Sequence, residues 1–338
     1  MGYPKYDGTI HPDEWIKLLQ QYGYGDDNIS HVISLIDYTI KLPTGIYNIE
    51  QLHNALKEDI SFTIFKNTNK RKLQSLNYIP ESKGGNTSEF ILNFRKLCYN
   101  AEINDIEEQK KYLYKSLAGN NHYNILLTEF YKKMENIDSM VELIKEFEEF
   151  VTEETNLIRN GSIIALKHVP TGKYLSSIDN LFYKTGTGTQ LVFAGSLDLW
   201  TIKFDKVLAN YTNNLITLQH VASNKFLGIY GEYKSPSTEC SEVSCNNFLN
   251  NNYWGEKWKF NNSKLKNYRG YLKSNDIINL SIKKMYVNGQ YTQNGPDTFL
   301  RSHDVQFTVG NDVFQEVLCH DERLGGNDEW CIELIKQG

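Results

Sequence analysis

The chain has 338 residues, 40% of them apolar and 23% charged, a composition that is typical of a soluble globular protein and excludes a disordered chain. Residues 1–150 carry 17 Lys and Arg against 22 Asp and Glu, and residues 151–338 carry 19 of each. Neither half has the basic excess that binding to nucleic acid or an anionic membrane requires, so neither partner is expected.

The sequence also lacks the usual signals for entry into a membrane or for metal binding. Residues 1–10 contain no apolar run of a signal peptide, and no stretch reaches the roughly 20 apolar residues of a membrane span. The five cysteines are odd in number and lack metal-ligand spacing, so we expect reduced thiols, no metal and no cofactor. These features favour a cytoplasmic protein.

Residues 12–156 show apolar residues at helical spacing. A first helix is predicted from Pro12, and a later one begins after Asn104 as its N-cap. Further helices are predicted at residues 28–41, 48–59, 122–134 and 138–156. The basic cluster KNTNKRK (66–72) is interpreted as a solvated loop or helix end, because it is too short to favour contact with RNA. The helix before Asn104 has the apolar stripe Phe90, Phe94, Leu97 and Ala101.

Two segments of this half, YDGTIHPDEWIKLLQQY (6–22) and FILNFRKLCYNAEINDIEEQKKYLYKSLAG (90–119), resemble the capsid region of retrotransposon Gag polyproteins. The resemblance implies a capsid-like domain over residues 1–157 that associates into a homo-oligomer. A working Gag is not indicated, because the half is acidic and no zinc knuckle follows it. A generic helical bundle with its own core is the other interpretation.

After Arg159 the pattern changes to short alternating runs, which predict an all-β domain over residues 158–338. LKHVPTGKYL (166–175) aligns without a gap with LQHVASNKFL (218–227), and a third copy runs from Leu280 to Leu300. These leucines are 9 residues apart in the first two copies and 20 apart in the third, so the third copy contains an insertion of 11 residues. Each copy continues with a valine strand and closes on a tryptophan strand.

Three copies of about four strands predict a β-trefoil, in which a six-stranded barrel capped by three hairpins removes most exposed strand edges. The predicted fold class is therefore an all-α helical bundle (1–157) followed by an all-β trefoil (158–338). The predicted core consists of the repeated leucines, valines and tryptophans: Leu166, Leu218, Leu280, Leu175, Leu227, Leu300, Val192, Val243, Val317, Trp200, Trp258 and Trp330.

The segments GSIIALKHVPTGKYLSS, TGTGTQLVFAG and LRSHDV, with QEVLC and NDEWCIEL, resemble the MIR domain, the β-trefoil of protein O-mannosyltransferases and of inositol trisphosphate and ryanodine receptors. The resemblance spans residues 158–337 and implies a non-enzymatic module that binds a glycan or a protein partner. In relatives, a turn of the type leucine, histidine, serine, histidine lies near recognised sugars, and its counterpart here begins at Leu300. No basic cluster for an inositol phosphate can be assigned. The candidate ligand site is Arg301, Ser302, His303, Gln315 and Glu316.

Three motifs suggest chemistry and receive simpler interpretations. Ser302, His303 and Asp304 are triad residue types, but neighbours on a strand point to opposite faces, so no catalytic residue is expected. The equivalent His168 and His220 predict a structural contact, such as a bond to a backbone carbonyl, in preference to a metal site. TGTGT (185–189) lacks the third glycine, lysine and helix of a phosphate loop and predicts a β-turn.

Overall fold

The computed structural model describes residues 4–117, 124–212, 215–247, 254–265 and 268–338. The chain divides into two compact units, Met1–Thr152 and Glu153–Gly338. Helices fill the first unit and antiparallel strands build the second, which confirms the predicted order of an α half and a β half. The last helix ends at Thr155, two residues before the predicted domain boundary.

Eight α-helices precede the first strand within the described ranges. They are α1 (Pro12–Gln21), α2 (Ile29–Ser34), α3 (Ile49–Glu58), α4 (Ile60–Gln74), α5 (Thr87–Asn100), α6 (Ile106–Leu117), α7 (Asn124–Met134) and α8 (Met140–Thr155). In this part of the chain no helix is both long and apolar enough to cross a membrane. Residues 122–123 of the helix predicted at 122–134 lie outside the described residues.

The helix starts follow from local capping. The His11 side chain accepts a hydrogen bond from the N–H of Asp13 at 3.1 Å, and Pro12 is the first residue of α1. The cap before α6 is Asp105, whose carboxylate accepts from the N–H of Glu108 at 3.2 Å. The predicted cap at residue 104 is therefore displaced by one residue.

Helix α4 corrects the loop interpretation of the basic cluster. Residues 66–72 lie in the second half of this helix rather than in a loop, and Arg71 and Lys72 belong to its last turn, as the helix-end alternative predicts. Lys66 and Lys70 form ion pairs with Glu102 and Glu108, each at 3.0 Å. The apolar periodicity did not reveal α4 because its apolar side chains lie on both the buried and the exposed sides.

The second unit contains fifteen strands in the described residues. They are β1 (Ile163–His168), β2 (Tyr174–Phe182), β3 (Gln190–Gly195), β4 (Trp200–Lys203), β5 (Leu215–His220), β6 (Phe226–Lys234), β7 (Ser241–Asn246), β8 (Trp254–Gly255), β9 (Trp258–Asn262), β10 (Ile277–Lys283), β11 (Tyr286–Val287), β12 (Gln290–Tyr291), β13 (Asp297–Val309), β14 (Asp312–His320) and β15 (Trp330–Lys336). The first repeat comprises β1–β4, the second β5–β9 and the third β10–β15.

Strand pairing shows a threefold pattern. Strands β1, β4, β5, β9, β10 and β15 pair in that order, and β15 returns to β1, so the six form a closed antiparallel ring. The hairpins β2–β3, β6–β7 and β13–β14 supply one member each to a second set, in which β3, β7 and β14 pair with one another. Each repeat therefore contributes two strands to the ring and one hairpin to the set.

The twelve predicted core residues are all fully buried, which confirms that part of the prediction. The three tryptophans also make one repeated polar contact. The indole N–H of Trp200 donates to the carbonyl of Leu175 at 2.9 Å, and Trp258 and Trp330 donate to the equivalent leucines, Leu227 and Leu300, at 2.9 and 3.2 Å. Each tryptophan thus closes its repeat by burying its ring and satisfying its one donor.

The insertion of the third repeat forms the small β11–β12 hairpin. The backbone N–H groups of Asn288 and Gly289 at its turn donate to the carboxylate of Glu232 on β6, at 2.6 and 2.9 Å. The insertion is therefore attached to the second repeat.

Candidate functional site

Arg301 on β13 is held by carboxylates of its own chain. Its Nε and Nη2 donate to the two oxygens of Asp328 at 2.8 and 3.2 Å, and its Nη1 donates to Glu322 at 3.3 Å. Asp328 is fully buried and also bonds His320 at 2.7 Å. Burial opposes ionisation of Asp328, but the bonds from His320 and Arg301 lower its pKa to about 2. The guanidinium thus compensates a buried charge.

Ser302 and Gln315 are buried and bonded to each other. The Gln315 Nε2 donates to the Ser302 Oγ at 2.9 Å, and this hydroxyl donates to the carbonyl of Glu316 at 3.0 Å. The hydroxyl therefore points to a backbone oxygen rather than to His303, and the adjacent triad residue types do not form a nucleophile and base pair.

The same pair recurs in the first repeat. Ser177 and Gln190 occupy the equivalent positions, and the Gln190 Nε2 donates to the Ser177 Oγ at 2.7 Å. The Ser177 hydroxyl donates to the carbonyl of Leu191 at 2.7 Å. Because the arrangement appears twice, the fold itself accounts for Ser302 and Gln315.

Each glutamine continues into a histidine of the next repeat. The Gln190 Nε2 reaches the Ser223 hydroxyl at 3.0 Å, and this hydroxyl bonds the Nδ1 of His220 at 2.8 Å. In the other copy, Gln315 lies 3.5 Å from the hydroxyl of Thr171, which bonds His168 at 2.9 Å. Two polar chains therefore cross between repeats, one from the first repeat to the second (the first junction) and one from the third to the first (the third junction).

The two histidines complete these chains. The Nε2 of His168 bonds the carbonyl of Asn327 at 2.9 Å, which confirms the predicted contact with a backbone carbonyl. The Nε2 of His220 instead bonds the carboxylate of Asp198 at 3.0 Å. Burial lowers the pKa of His168, because its charged form is poorly solvated. At the third repeat Ile282 stands at this position, so no such chain leads from the second repeat to the third (the second junction).

Glu316 and His303 face each other. Glu316 is fully buried, and its Oε1 accepts from the N–H of Ser237 in the β6–β7 turn at 2.9 Å. Its Oε2 lies 3.4 Å from the Nε2 of His303, and neither of these two atoms has another hydrogen bond in the described residues. The ring of His303 is 21% exposed, so it lies between the buried Glu316 carboxylate and the solvent.

Glu242 holds the equivalent place in the second repeat. It is buried, and its carboxylate accepts from the N–H and the hydroxyl of Thr187 in the TGTGT segment. Burial is the main reason that the pKa of Glu242 rises to about 7. Gly186 has φ +65°, and a Cβ there would lie 1.9 Å from the Glu242 Oε2, so glycine is required. The predicted turn is confirmed at residues 186–187, and it encloses an internal carboxylate.

The first and third junctions have the same residue types at the surface, an aspartate and a lysine, but these residues make different contacts. An irregularity interrupts β2 between Ser177 and Phe182 and interrupts β13 between Ser302 and Gln306. Asp179 and Asp304 lie there, each four residues after the repeated leucine. Lys225 and Lys173 lie at equivalent places in the turns opposite, each seven residues after the other repeated leucine.

Of these two lysine and aspartate combinations, only Lys225 and Asp179 form an ion pair. The Lys225 Nζ lies 3.6 Å from the Asp179 carboxylate and 5.2 Å from the centre of the Phe182 ring. Among the described residues, neither Asp304 nor Lys173 has an ion-pair partner within 4.0 Å. The third junction therefore leaves the Asp304 carboxylate and the Lys173 ammonium group without an ion pair among the described residues.

The five predicted site residues thus do not form one cluster. Four of them form two separate contacts, and the fifth is bound by a residue outside the set. Ser302 binds Gln315, His303 faces Glu316, and Arg301 is bound elsewhere by Asp328. The predicted set did not include Lys173, Thr171 and Asp304, which belong to the same junction by the repeat alignment and by the contact between Gln315 and Thr171. The repeat alignment contains the signal, because it places Asp304 over Asp179 and Lys173 over Lys225.

All five cysteines are free thiols. In the described ranges, no group of three or more His, Cys, Asp or Glu side chains is arranged to hold a metal ion.

Comparison with known proteins gives distant likenesses of fold. No family model matches the chain, and no curated protein matches it. Among solved structures, the SDF2-like protein from Arabidopsis thaliana is 24% identical, with 52% of this chain and 94% of that chain covered and a TM-score of 0.42. The S. cerevisiae protein O-mannosyltransferase Pmt1-Pmt2 complex bound to the sugar donor is 18% identical, with coverages of 72% and 36% and a TM-score of 0.41.

A designed threefold symmetric protein, ThreeFoil, is 11% identical, with coverages of 51% and 97% and a TM-score of 0.30. Each identity is below 25% and each TM-score is below 0.5, so these likenesses do not establish a family or a function for the chain.

Proposed function

We propose that the second unit is a MIR-type β-trefoil that acts as a non-enzymatic binding module, and that its ligand is a glycan bound at the third junction. The binding surface consists of Lys173, His303 and Asp304, with Thr171 beneath them. A cytoplasmic location is part of the same proposal, and the five free thiols support it.

The repeated architecture supports the trefoil assignment. A closed ring of six strands with three mutually paired hairpins is the arrangement expected of that fold. The MIR assignment rests on the sequence resemblance over residues 158–337.

One observation carries the choice of surface. Asp179 at the first junction is paired with Lys225, and Glu232 at the second is bound by the turn of the insertion. At the third junction Asp304 has no hydrogen bond or ion pair within the described part of the chain. The first and third junctions are otherwise built alike, so the unpaired charges are not a requirement of the fold.

The chemistry of these groups suits a sugar. A carboxylate accepts from two neighbouring hydroxyl groups, and an ammonium group donates to a third oxygen. His303 offers a polar ring supported by the buried Glu316. Asp304 is exposed, so we expect affinity in the micromolar to millimolar range, about −8 to −4 kcal/mol.

A non-catalytic role agrees with the geometry of Ser302. Its side chain is fully buried, and its hydroxyl is engaged by Glu316 and Gln315. A nucleophile must reach a substrate and contact a base, and Ser302 does neither.

The test is a glycan array followed by titration of the full chain with the best glycan. Asp304→Asn removes the unpaired charge, and Asp179→Asn is the matched control at the equivalent position. We expect Asp304→Asn to weaken binding about tenfold, the equivalent of about 1.4 kcal/mol, and Asp179→Asn to change it less than about twofold. Equal losses in both variants would contradict the chosen surface, and selective binding of a protein partner at Asp304 would replace the glycan as ligand.

Self-assembly of the first unit is the second candidate function. Ile60, Leu92 and Val141 on helices α4, α5 and α8 are large apolar side chains that are 68%, 64% and 79% exposed. We consider self-assembly because of the resemblance to a capsid domain, and contact between copies would bury such exposed apolar side chains. Light scattering tests it: a concentration-dependent rise in mass that Leu92→Lys abolishes supports association, and a strict monomer opposes it.

A further inference from the structure

Helix α1 begins at a buried histidine. His11 is 1% exposed, and its Nδ1 accepts a hydrogen bond from the N–H of Asp13 at 3.1 Å. Its carbonyl accepts from the N–H groups of Glu14 and Trp15 at 3.0 and 3.1 Å. A ring nitrogen that accepts a hydrogen bond carries no proton, so the single ring proton lies on Nε2 and the imidazole is neutral. The start of the helix therefore depends on the uncharged form of one side chain.

The ring of His11 lies in surroundings that solvate a charge poorly. Its centre is 4.7 Å from the centre of the Tyr99 ring and 5.0 Å from that of the Phe62 ring. Its Nε2 is buried and has no hydrogen bond in the described residues. Protonation in this place is unfavourable, because a charged imidazolium loses its hydration there.

Charged and titratable side chains surround the ring. They are Asp13 on α1, His53 and Lys57 on α3, Lys66 on α4, Tyr99 on α5 and Glu102 after α5. Two of them are carboxylates, whose oxygens lie 3.7 and 3.8 Å from the ring nitrogens of His11. Asp13 binds His53 and lies 3.3 Å from the Lys57 Nζ. Glu102 binds Lys57 and Lys66 at 2.9 and 3.0 Å. Each carboxylate is therefore shared with two basic side chains, which weakens its attraction for a proton on His11.

The balance of these effects sets the direction of the pH response. Burial lowers the pKa of His11, and Lys57 and His53 act in the same direction, whereas Asp13 and Glu102 oppose it. The folded state thus binds the proton less tightly than an open state in which the ring reaches water. The stability that the cap contributes is complete above the ordinary histidine pKa of about 6.5 and decreases as pH falls below it.

The first turn of α1 holds a large side chain in the core. Trp15 is fully buried, and its ring centre lies 5.1 Å from that of Tyr6. Its indole N–H donates to the carbonyl of Pro4 at 3.0 Å. Because the backbone N–H of Trp15 is bonded to the carbonyl of His11, movement of His11 also moves the backbone that carries this ring.

We infer that His11 is a pH-sensitive cap of helix α1. In mild acid a proton from solvent adds to Nδ1, the hydrogen bond from the Asp13 N–H is lost, and the first turn of α1 leaves the helical core together with Trp15. All of these residues belong to the first unit, so the device is independent of the proposed glycan surface.

The experiment is amide hydrogen exchange of the full chain, followed by mass spectrometry of peptides that cover residues 12–21. We expect their protection factor, corrected for the intrinsic pH dependence of exchange, to fall about five- to tenfold from pH 7 to pH 5.5, because only the open state takes up the proton. Asp13 and Glu102 stay ionised over this range, since the pKa of each is lowered.

His11→Asn keeps a side-chain acceptor at the cap but cannot take up a proton. Its smaller side chain should lower the protection factor at both pH values, but the change between them should be less than about twofold. His31→Asn makes the same substitution at an exposed histidine of α2 and should behave like the wild type. His53→Asn should also retain the response.

Two results would overturn the inference: a wild-type protection factor that does not change with pH, or an equal fall in His11→Asn. Loss of the response in His53→Asn alone would overturn it too, because the proton would then act at His53. The ring nitrogen-15 shifts of the wild type provide a test without a variant. We expect His11 to carry its proton on Nε2 alone at pH 7, and protonation of both nitrogens in the folded state at that pH would contradict the proposal.

Discussion

The first and third junctions share a buried framework and differ at the surface. In both, a serine, a glutamine, a hydroxyl residue and a histidine form a polar chain between two repeats. At the surface, Asp179 is paired with Lys225, whereas Asp304 and Lys173 are unpaired. The difference shows that the fold requires the buried chain and leaves the exposed pair free for another use.

The largest expected effect concerns what all three repeats share. We expect Trp200→Ala, Trp258→Ala and Trp330→Ala each to lower the free energy of unfolding by about 3–5 kcal/mol, because each deletes a fully buried ring and leaves a cavity. Denaturant unfolding of each variant measures this. A loss at one tryptophan far below the other two would show that the repeats are not energetically equivalent.

The next effect is a pH dependence of the free energy of unfolding that is due to Glu242. The pKa of Glu242 is raised from 4.5 to about 7, so the folded state binds its proton more tightly than the unfolded state does. The stabilisation from this group is present below pH 4.5 and is lost as pH rises through about 7, by up to about 3 kcal/mol. Unfolding measured from pH 4.5 to 8 should show this dependence for the wild type.

Glu242→Gln should remove that part of the pH profile, and the difference between the two profiles isolates it from other titrating groups. Asp179→Asn serves as the control, since its profile should follow the wild type above pH 5. If the free energy of unfolding of Glu242→Gln fell with pH as steeply as that of the wild type, burial of the Glu242 carboxyl would not be the cause of the pH dependence.

A smaller effect compares the two buried chains. Gln190→Ala and Gln315→Ala each leave a buried serine hydroxyl without its donor, so each should cost about 1–3 kcal/mol. Matched losses in urea unfolding would confirm that the framework is equivalent at both junctions. A loss only at Gln190 would restore a special role for Gln315.

The smallest effect lies at the surface itself. A double-mutant cycle on Asp179 and Lys225 should give a coupling energy of at most about 1 kcal/mol, because the pair is partly exposed. The same cycle on Asp304 and Lys173 should give none. Coupling at the second pair would mean that the third junction is closed in solution and would remove the reason for placing a ligand there.

Much of the second unit could be predicted from the sequence because the repeat determines it. Leu166 and Leu218 align without a gap, and a residue that recurs in each copy must meet the same core. The site was harder to predict, since Arg301 and Asp328 are 27 residues apart and their contact has no local signal. No repeat was found in the helical unit. Helix α4 was not predicted, because tertiary packing decides which of its faces is buried.

The sequence by itself determined the order of an α and a β half, the three repeats and their buried leucines, valines and tryptophans, because hydrophobic periodicity is a local property. Only the tertiary structure decided which polar groups are satisfied. Arg301 and Ser302 are engaged within the fold, while Asp304 and Lys173 are not. The physical reason is that partners of polar groups are set by contacts between repeats, and these depend on how distant segments pack.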